Sequence, residues 1–416
     1  MNVHNNVRPN MARLWSMLMR SAEIGATPGG GLNRLALSDD DATMRRQFID
    51  WCVEAGCRIQ IDGVGNIFAT RAGRDPCAKP VLVGSHLDTQ VHGGRFDGIL
   101  GVLAGLELVH TLNEFAITTK HPITVVNWTN EEGARFEPPM MGSAIFTGHR
   151  TPDYAWARTD RHGVTLGEEL DRLGFKGTDT LTPDLFDSLF ELHIEQGPRL
   201  DAEKVPVGVV TGAFTVHGHV IQIRGETGHA GPTPMPSRRN ALVAASLVML
   251  AVDEIGWQFH GEEGKSTTTR LKAEPNLLGA IPKFVELNCD MRHPTAAGAD
   301  AMISAFRKRL PELEERSRCS IEVTESWTYG GVELDKTCTD LVRSAAARLG
   351  YATKDLLTEA GHDALHTASV LPATIIFTPC EGGVSHNEKE NVTIADIEPG
   401  MNVLLQAVLA RAKLAE

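Results

Sequence analysis

Four short apolar runs in this 416-residue chain each lead straight into histidine or carboxylate side chains. "VLVGS" runs into His86, Asp88 and Asp97, and "ITVVNW" into Glu131 and Glu132. "LFEL" runs into His193 and Glu195, and "TIIFTP" reaches His386 through a short glycine-rich loop. Apolar runs of this length bounded by turn residues read as buried strands, and "GILGVLAGLELVHTLNE" between two of them reads as a helix. The alternation predicts an α/β fold whose catalytic domain is a mixed, largely parallel sheet flanked by helices. In such a sheet the functional crevice lies beyond the carboxyl ends of the strands, which is where these side chains are expected.

A stretch of different character interrupts the pattern. "HGHVIQIRGE", "SRRNALVAASLVMLAVDEI", "TTTRLKAEP", "FVELNCDMRH", "GADAMISAFRKRLPELEERS" and "CSIEVTESW" read in the order βαββαβ, that of a ferredoxin-like module. Residues 213–329 are therefore expected to form an inserted second domain, with 1–212 and 330–416 making up the first.

Composition narrows the function classes. With 42% hydrophobic residues the chain can bury a substantial core, and a net charge of -13 argues against a nucleic-acid partner, since basic runs are as short as Arg238-Arg239 and Arg307-Lys308-Arg309. Seven scattered cysteines without a CxxC pair fit reduced thiols rather than a disulfide framework. "LWSMLM" is too short for a signal-peptide core, and "ALVAASLVMLAV" falls short of the roughly 20 residues that cross a bilayer. A cytoplasmic protein without a membrane partner is the expectation.

Histidine and carboxylate without cysteine suit zinc, manganese, cobalt or nickel in a reactive site. Each histidine taken alone reads better as a packed or surface residue than as a ligand; the argument lies in their joint placement after strand ends. Three histidines and two or more carboxylates exceed the need of one catalytic zinc, and match two metals about 3.5 to 4 Å apart that share a carboxylate. His92 reads as an ordinary loop histidine and His362 with Asp363 as a helix start, while "TEAGHDALH" around that pair also resembles a stretch near the metals of a known family, which implies support for the metal ligands as the other reading.

"GSHLDTQVHGGRFDG", "TNEEGARFEPPMMGS", "LHIEQG", "GETGHAGPTPM" and "VSHNEKE" resemble, in order and spacing, the motifs of the dinuclear-metal amidohydrolases. That family includes N-carbamoyl-L-amino-acid hydrolase, β-ureidopropionase and allantoate amidohydrolase, relatives of aminoacylases and metallo-aminopeptidases. The resemblance covers roughly residues 80–395 and implies a catalytic domain interrupted by a lid through which the chain forms a homodimer. It further implies two divalent ions, with His86 and His193 on one, Glu132 and His386 on the other, and Asp97 as the bridge. Asp88 would orient the His86 imidazole, and Glu131 would be the general base for a metal-bridged hydroxide. His229 would stabilise the oxyanion, Gln196 would meet the ureido or amide head, and Arg292 would clamp a substrate carboxylate. A turn histidine, a loop glutamine and a solvated arginine are the plainer readings of those three.

Two positions depart from the family. "PNLLGAIPK" keeps Asn276 but has Gly279 in place of a second asparagine, and "VHGHV" has Gly218 where a basic residue is expected, so His217 or His219 would have to donate instead. The expected reaction is hydrolysis of a linear C–N bond in a carboxylate-bearing small molecule, an N-carbamoyl amino acid or a ureido acid such as allantoate. An aminoacylase or dipeptidase of the same clan is the alternative, because both glycines enlarge or depolarise the pocket. A non-catalytic metal-binding scaffold would have lost Glu131 or a ligand, and all are present.

Overall fold

A computed structural model describes residues 6–414. Among them fourteen strands run in chain order: β1 (Arg58–Ile61), β2 (Ile67–Arg71), β3 (Val81–His86), β4 (Ile123–Trp128), β5 (Ser188–Ile194), β6 (Val207–Ala213), β7 (Thr215–Arg224), β8 (Gly228–His229), β9 (Lys265–Glu274), β10 (Ala280–Ile281), β11 (Phe284–His293), β12 (Ser320–Gly330), β13 (Thr353–Thr358) and β14 (Ala373–Thr378). The chain divides into two units, Met1–Thr211 with Glu333–Glu416, and Gly212–Val332.

In the first unit eight strands form one sheet in the order β1-β2-β4-β3-β5-β14-β6-β13. The central strands β4, β3, β5 and β14 run parallel, and β2 and β6 join them antiparallel. Every residue of those four strands is buried, as parallel strands covered on both faces require. Val81, Val83 and Val125 share an apolar cluster with helices Ile99–Glu114 and Ile394–Ala412. Each such side chain contributes roughly 1.5–3 kcal/mol by leaving water. By the two-residue alternation of a strand, Trp128 points the other way, where it and Phe68 pack on Phe146 of helix Met141–Phe146. Because the four central strands are parallel, their carboxyl ends share one edge, and His86 and His193 are at or next to those ends.

Helix Ile99–Glu114 begins immediately after Asp97, with Gly98 as its cap at φ 68°. A Cβ on Gly98 would lie 2.3 Å from the His86 ring, so only glycine lets this turn pass beneath the imidazole. Asp97 is thereby fixed at the amino end of a buried helix, where the dipole favours negative charge.

The second unit is a four-stranded antiparallel sheet in the order β12-β7-β11-β9, with helices Ala241–Phe259 and Ala296–Ser317. Ile221, Ile223, Val285, Leu287 and Met291 face those helices and pack on Val248, Val252, Met302 and Phe306. Along the chain these elements follow the order β7, helix, β9, β11, helix, β12. A separate two-stranded ribbon pairs β8 with β10. The stretch Ala241–Glu262 is long and apolar enough to cross a membrane by length and composition, exceeding the run visible in sequence. One face of it, from Ala241 to Ile255, is buried, and Leu242, Val243, Leu250 and Trp257 are exposed.

Candidate metal centre and active site

The first unit brings His86, Asp97, Glu132, His193 and His386 together. Asp97 Oδ1 lies 3.2 Å from His193 Nε2 and 3.7 Å from His86 Nε2. Its Oδ2 lies 3.4 Å from His386 Nε2, which in turn is 3.3 Å from Glu132 Oε2. Two ligand-like clusters result, His86–Asp97–His193 and Asp97–Glu132–His386, with Asp97 common to both. Glu195 is in neither; its carboxylate accepts from the amides of Arg199 and Leu200 at 3.0 and 2.7 Å and caps the short helix there.

The imidazoles of His86 and His193 are each held by the other nitrogen. His86 Nδ1 is 2.9 Å from the carbonyl of Asp88, and His193 Nδ1 is 2.9 Å from that of Ile194, so both donate from Nδ1 and turn Nε2 toward Asp97. The main chain of Asp88 orients His86 here. The Asp88 carboxylate is 3.9 Å from the ring and instead accepts from the amides of Glu131 and Glu132, both at 3.2 Å. Gln90 holds Glu132 through its side-chain amide at 3.0 Å.

Glu131 is buried, with Oε2 at 3.5 Å from His86 Nε2. Burial, followed by Asp363, Glu132 and Asp88, pushes it well above the usual carboxylate range. Burial also raises Asp363, which is fully buried at the start of helix Asp363–Thr367. His362, also buried, stands edge-on to His193 at 4.6 Å. Burial alone would lower His193 and His386, yet Asp97 lifts His193 to about 9, and Asp97 with Glu132 lifts His386 to about 11. The cluster thus crowds Asp88, Asp97, Glu131, Glu132 and Asp363 around three histidines, more carboxyl groups than the imidazoles can pair. Oxygen and imidazole donors with such a surplus fit divalent cations, at the set His86, Asp97, His193 and at the set Asp97, Glu132, His386.

Several contacts were not foreseen. Gln196 spends its side-chain N–H on Asp97 Oδ2 at 2.8 Å, leaving its buried oxygen without a hydrogen-bond partner. Glu390, 1% exposed, accepts from the amides of Phe96 and Asp97 at 3.0 and 3.1 Å and from Ser385 Oγ at 3.0 Å. Ser385 Oγ also reaches Asp97 Oδ2 at 3.2 Å. Gly94 owes its place to this carboxylate, since a Cβ there would come within 1.9 Å of it. Glu390 follows His386 by four residues, and that proximity was the one available signal. His92, exposed and at φ 54°, pairs with Glu388 at 3.1 Å.

The second unit carries the remaining residues on its own surfaces. His229 Nδ1 accepts from the Gly231 amide at 3.1 Å, which makes Nε2 the protonated nitrogen of the neutral ring. The carbonyl of Gly279, at φ 85°, accepts from Ala230 at 2.9 Å, keeping that turn beside His229 without a side chain. Asn276 is exposed in the same turn. Arg292 meets Asp290 through two nitrogens, at 3.2 and 2.8 Å. His217 and His219 share the strand parity of Ile221 and Ile223 and so face the helices. His217 bonds Thr328 and Asp300 at 2.8 and 3.0 Å, and His219 bonds Ser326 at 2.7 Å. Arg292 lies on the other face of the sheet, where the Trp327 ring fills the space left by Gly218.

Residues 82–410 match the model of peptidase family M20/M25/M40. The chain belongs to this family. Among M20/M25/M40 relatives it is 42% identical over 413 residues, 99% of each chain, to the N-carbamoyl-L-amino-acid amidohydrolase of Rhizobium meliloti. It is 28% identical to the allantoate amidohydrolase of Bacillus subtilis over 92% of this chain and 93% of that one. A crystal structure of an amidase of the hydantoinase/carbamoylase family from Burkholderia vietnamiensis superposes with a TM-score of 0.94 at 44% identity, covering 98% of both chains. The resemblance drawn from the five motifs is borne out by these matches.

Proposed function

We propose that this M20/M25/M40 protein is a metal-dependent hydrolase of a linear, non-peptide C–N bond, acting on an N-carbamoyl-L-amino acid or a related ureido acid such as allantoate. The observation that carries the reading is Asp97, whose Oδ1 faces His86 and His193 and whose Oδ2 faces His386, itself beside Glu132. His86 and His193 would hold one divalent ion and Glu132 and His386 the other, zinc, manganese, cobalt and nickel all suiting the donors. Such ions supply Lewis acidity and ready water for attack near neutral pH. Glu131 is the general base: it accepts the proton of the attacking water and returns it to the nitrogen as the C–N bond breaks. His229, protonated on Nε2, donates to the developing oxyanion. Gln196 keeps its free amide oxygen for the N–H groups of the ureido head, and Arg292 takes the substrate carboxylate in exchange for Asp290. Asn276 is a further polar contact, while His217 serves the fold, both its nitrogens being bonded.

The second unit is assigned as a ferredoxin-like lid through which two copies pair. Its β-α-β-β-α-β order and the exposed Leu242, Val243, Leu250 and Trp257 support this. A cytoplasmic setting suits seven unpaired cysteines, six of them buried.

The test is ammonia and amino-acid release by protein reconstituted with Mn, Co, Ni or Zn. The panel comprises N-carbamoyl-L-amino acids, β-ureidopropionate, allantoate, N-acetyl amino acids and dipeptides, with Glu131→Gln as the control. Turnover of a carbamoyl or ureido compound that disappears in the variant is expected. Activity confined to acyl or peptide bonds would replace this reading with the aminoacylase or dipeptidase alternative, to which the Trp327 wall over Gly218 lends an apolar surface.

A further inference from the structure

The segment from Ala26 to Leu37 precedes the residues that match the family, yet it binds three of the loops that carry candidate ligands. Leu32 and Gly93 exchange main-chain hydrogen bonds, both 2.9 Å. The Arg34 amide donates to Thr89 Oγ1, and the Thr89 amide donates to the Arg34 carbonyl, again both 2.9 Å. These four bonds grip the stretch between Asp88 and Asp97. At one end of the segment, Thr27 hydrogen-bonds Glu388, two residues past His386. At the other, the carbonyls of Ala36 and Leu37 accept from Arg135 at 3.2 and 2.5 Å, three residues past Glu132. A Cβ on Gly31 would lie 2.4 Å from the Gly93 carbonyl, so the close approach is built into the sequence.

Arg34 lies at the centre of this segment and is fully buried. Its Nε donates to the Leu87 carbonyl at 2.9 Å, and Nη1 donates to the carbonyls of Ser21 and Ile24 at 2.9 and 3.0 Å. Nη2 has no hydrogen-bond partner, and the acidic groups whose field it feels are Asp41, Asp88 and Asp40. A buried guanidinium with neutral partners is costly to keep unless its charge or its fork serves a purpose. Leu87 sits between His86 and Asp88, whose carbonyl orients the His86 ring. A guanidinium on the Leu87 peptide therefore acts on both.

We propose that residues 26–37 are a strap that sets the spacing of the metal-ligand loops, with Arg34 as its positioning residue. The proposal rests on the two-metal reading above. It predicts that loosening the strap misplaces ligands on three loops at once, so metal affinity and turnover fall while substrate affinity does not.

Metal-free wild-type protein, Arg34→Met, Arg34→Lys and Thr89→Ala are titrated with Mn2+ by calorimetry, and kcat and KM are then measured on the loaded proteins. Arg34→Met is expected to weaken Mn2+ binding by roughly 10- to 100-fold, the range for residues that support ligands, and to lower kcat with KM little changed. Arg34→Lys recovers part of the loss, because it restores the charge without the fork. Thr89→Ala, which leaves the guanidinium intact, shifts both quantities in the same direction. Wild-type affinity and kcat in Arg34→Met overturn the strap. If that variant does not fold, the same result in Thr89→Ala overturns it. A wild-type protein that binds none of Mn2+, Co2+, Ni2+ and Zn2+ overturns the two-metal reading and the strap with it. Two bound ions in every variant, with unchanged affinity and kcat, overturn the strap alone.

Discussion

Asp97 illustrates how much single side chains carry in this site. Its main chain leads into the amino end of a buried helix and its Oδ2 accepts from Gln196 and Ser385, which leaves Oδ1 facing His193 and Oδ2 facing His386. Glu131 has no such task, and its role is separable. Glu131→Gln is expected to lower kcat by roughly a hundredfold to ten-thousandfold, the usual worth of a general base, while metal content measured by plasma mass spectrometry stays at the wild-type level. An equal loss of metal would make Glu131 a ligand instead. Glu390 makes the opposite prediction. Glu390→Gln keeps an oxygen for the amides of Phe96 and Asp97 and retains metal, whereas Glu390→Ala leaves two buried donors unpaired and releases metal during dialysis. Neither Glu390 nor Arg34 was legible in the sequence as a support, because the loops they hold, at Phe96–Asp97 and at Leu87, lie far along the chain from them with no periodic pattern. The Arg34 side chain inside "LNRLAL" was still a visible cue, since an arginine within an apolar run is either exposed or bonded to main chain.

At the scale of the element, strand parity decides which faces the histidines of β7 serve. "TVHGHVIQIR" alternates, and Ile221 and Ile223 belong to the core, so His217 and His219 fall on the helix-facing side by counting alone. Reading the strand only for donor types near Gly218 missed this. Burial, aided by Arg307 and His217, pushes His219 from 6.5 down to about 4. The folded protein therefore favours the neutral ring, and the unfolded chain takes up the proton first as pH falls. The stability this ring contributes above pH 6.5 is lost progressively toward pH 4. Thermal unfolding at pH 7.5 and pH 5 should show wild type losing more than His219→Gln on acidification. Equal losses would mean that the ring is solvated in the folded state.

The molecule as a whole is two units of contrasting design, and they differed in how much the sequence disclosed. The parallel strands of the first unit announced themselves as short, largely apolar runs, because burial on both faces leaves no regular polar alternation. The candidate metal-binding side chains gather beside their carboxyl ends, since parallel strands must deliver those ends to one edge. What lay outside those runs, the strands β1 and β2 and the segment ahead of them, had no such signal, and its contribution to the site emerged only from three-dimensional contacts. The central claim is that Asp97 joins two metal ions in the first unit. Crystals of protein reconstituted with Mn2+, measured at the manganese absorption edge, test it most directly. The account predicts two anomalous peaks about 3.5 to 4 Å apart, one beside His86 and His193 and one beside Glu132 and His386, with Asp97 between them. A single peak, or a peak held by Glu191, His193 and His362 instead, would contradict it.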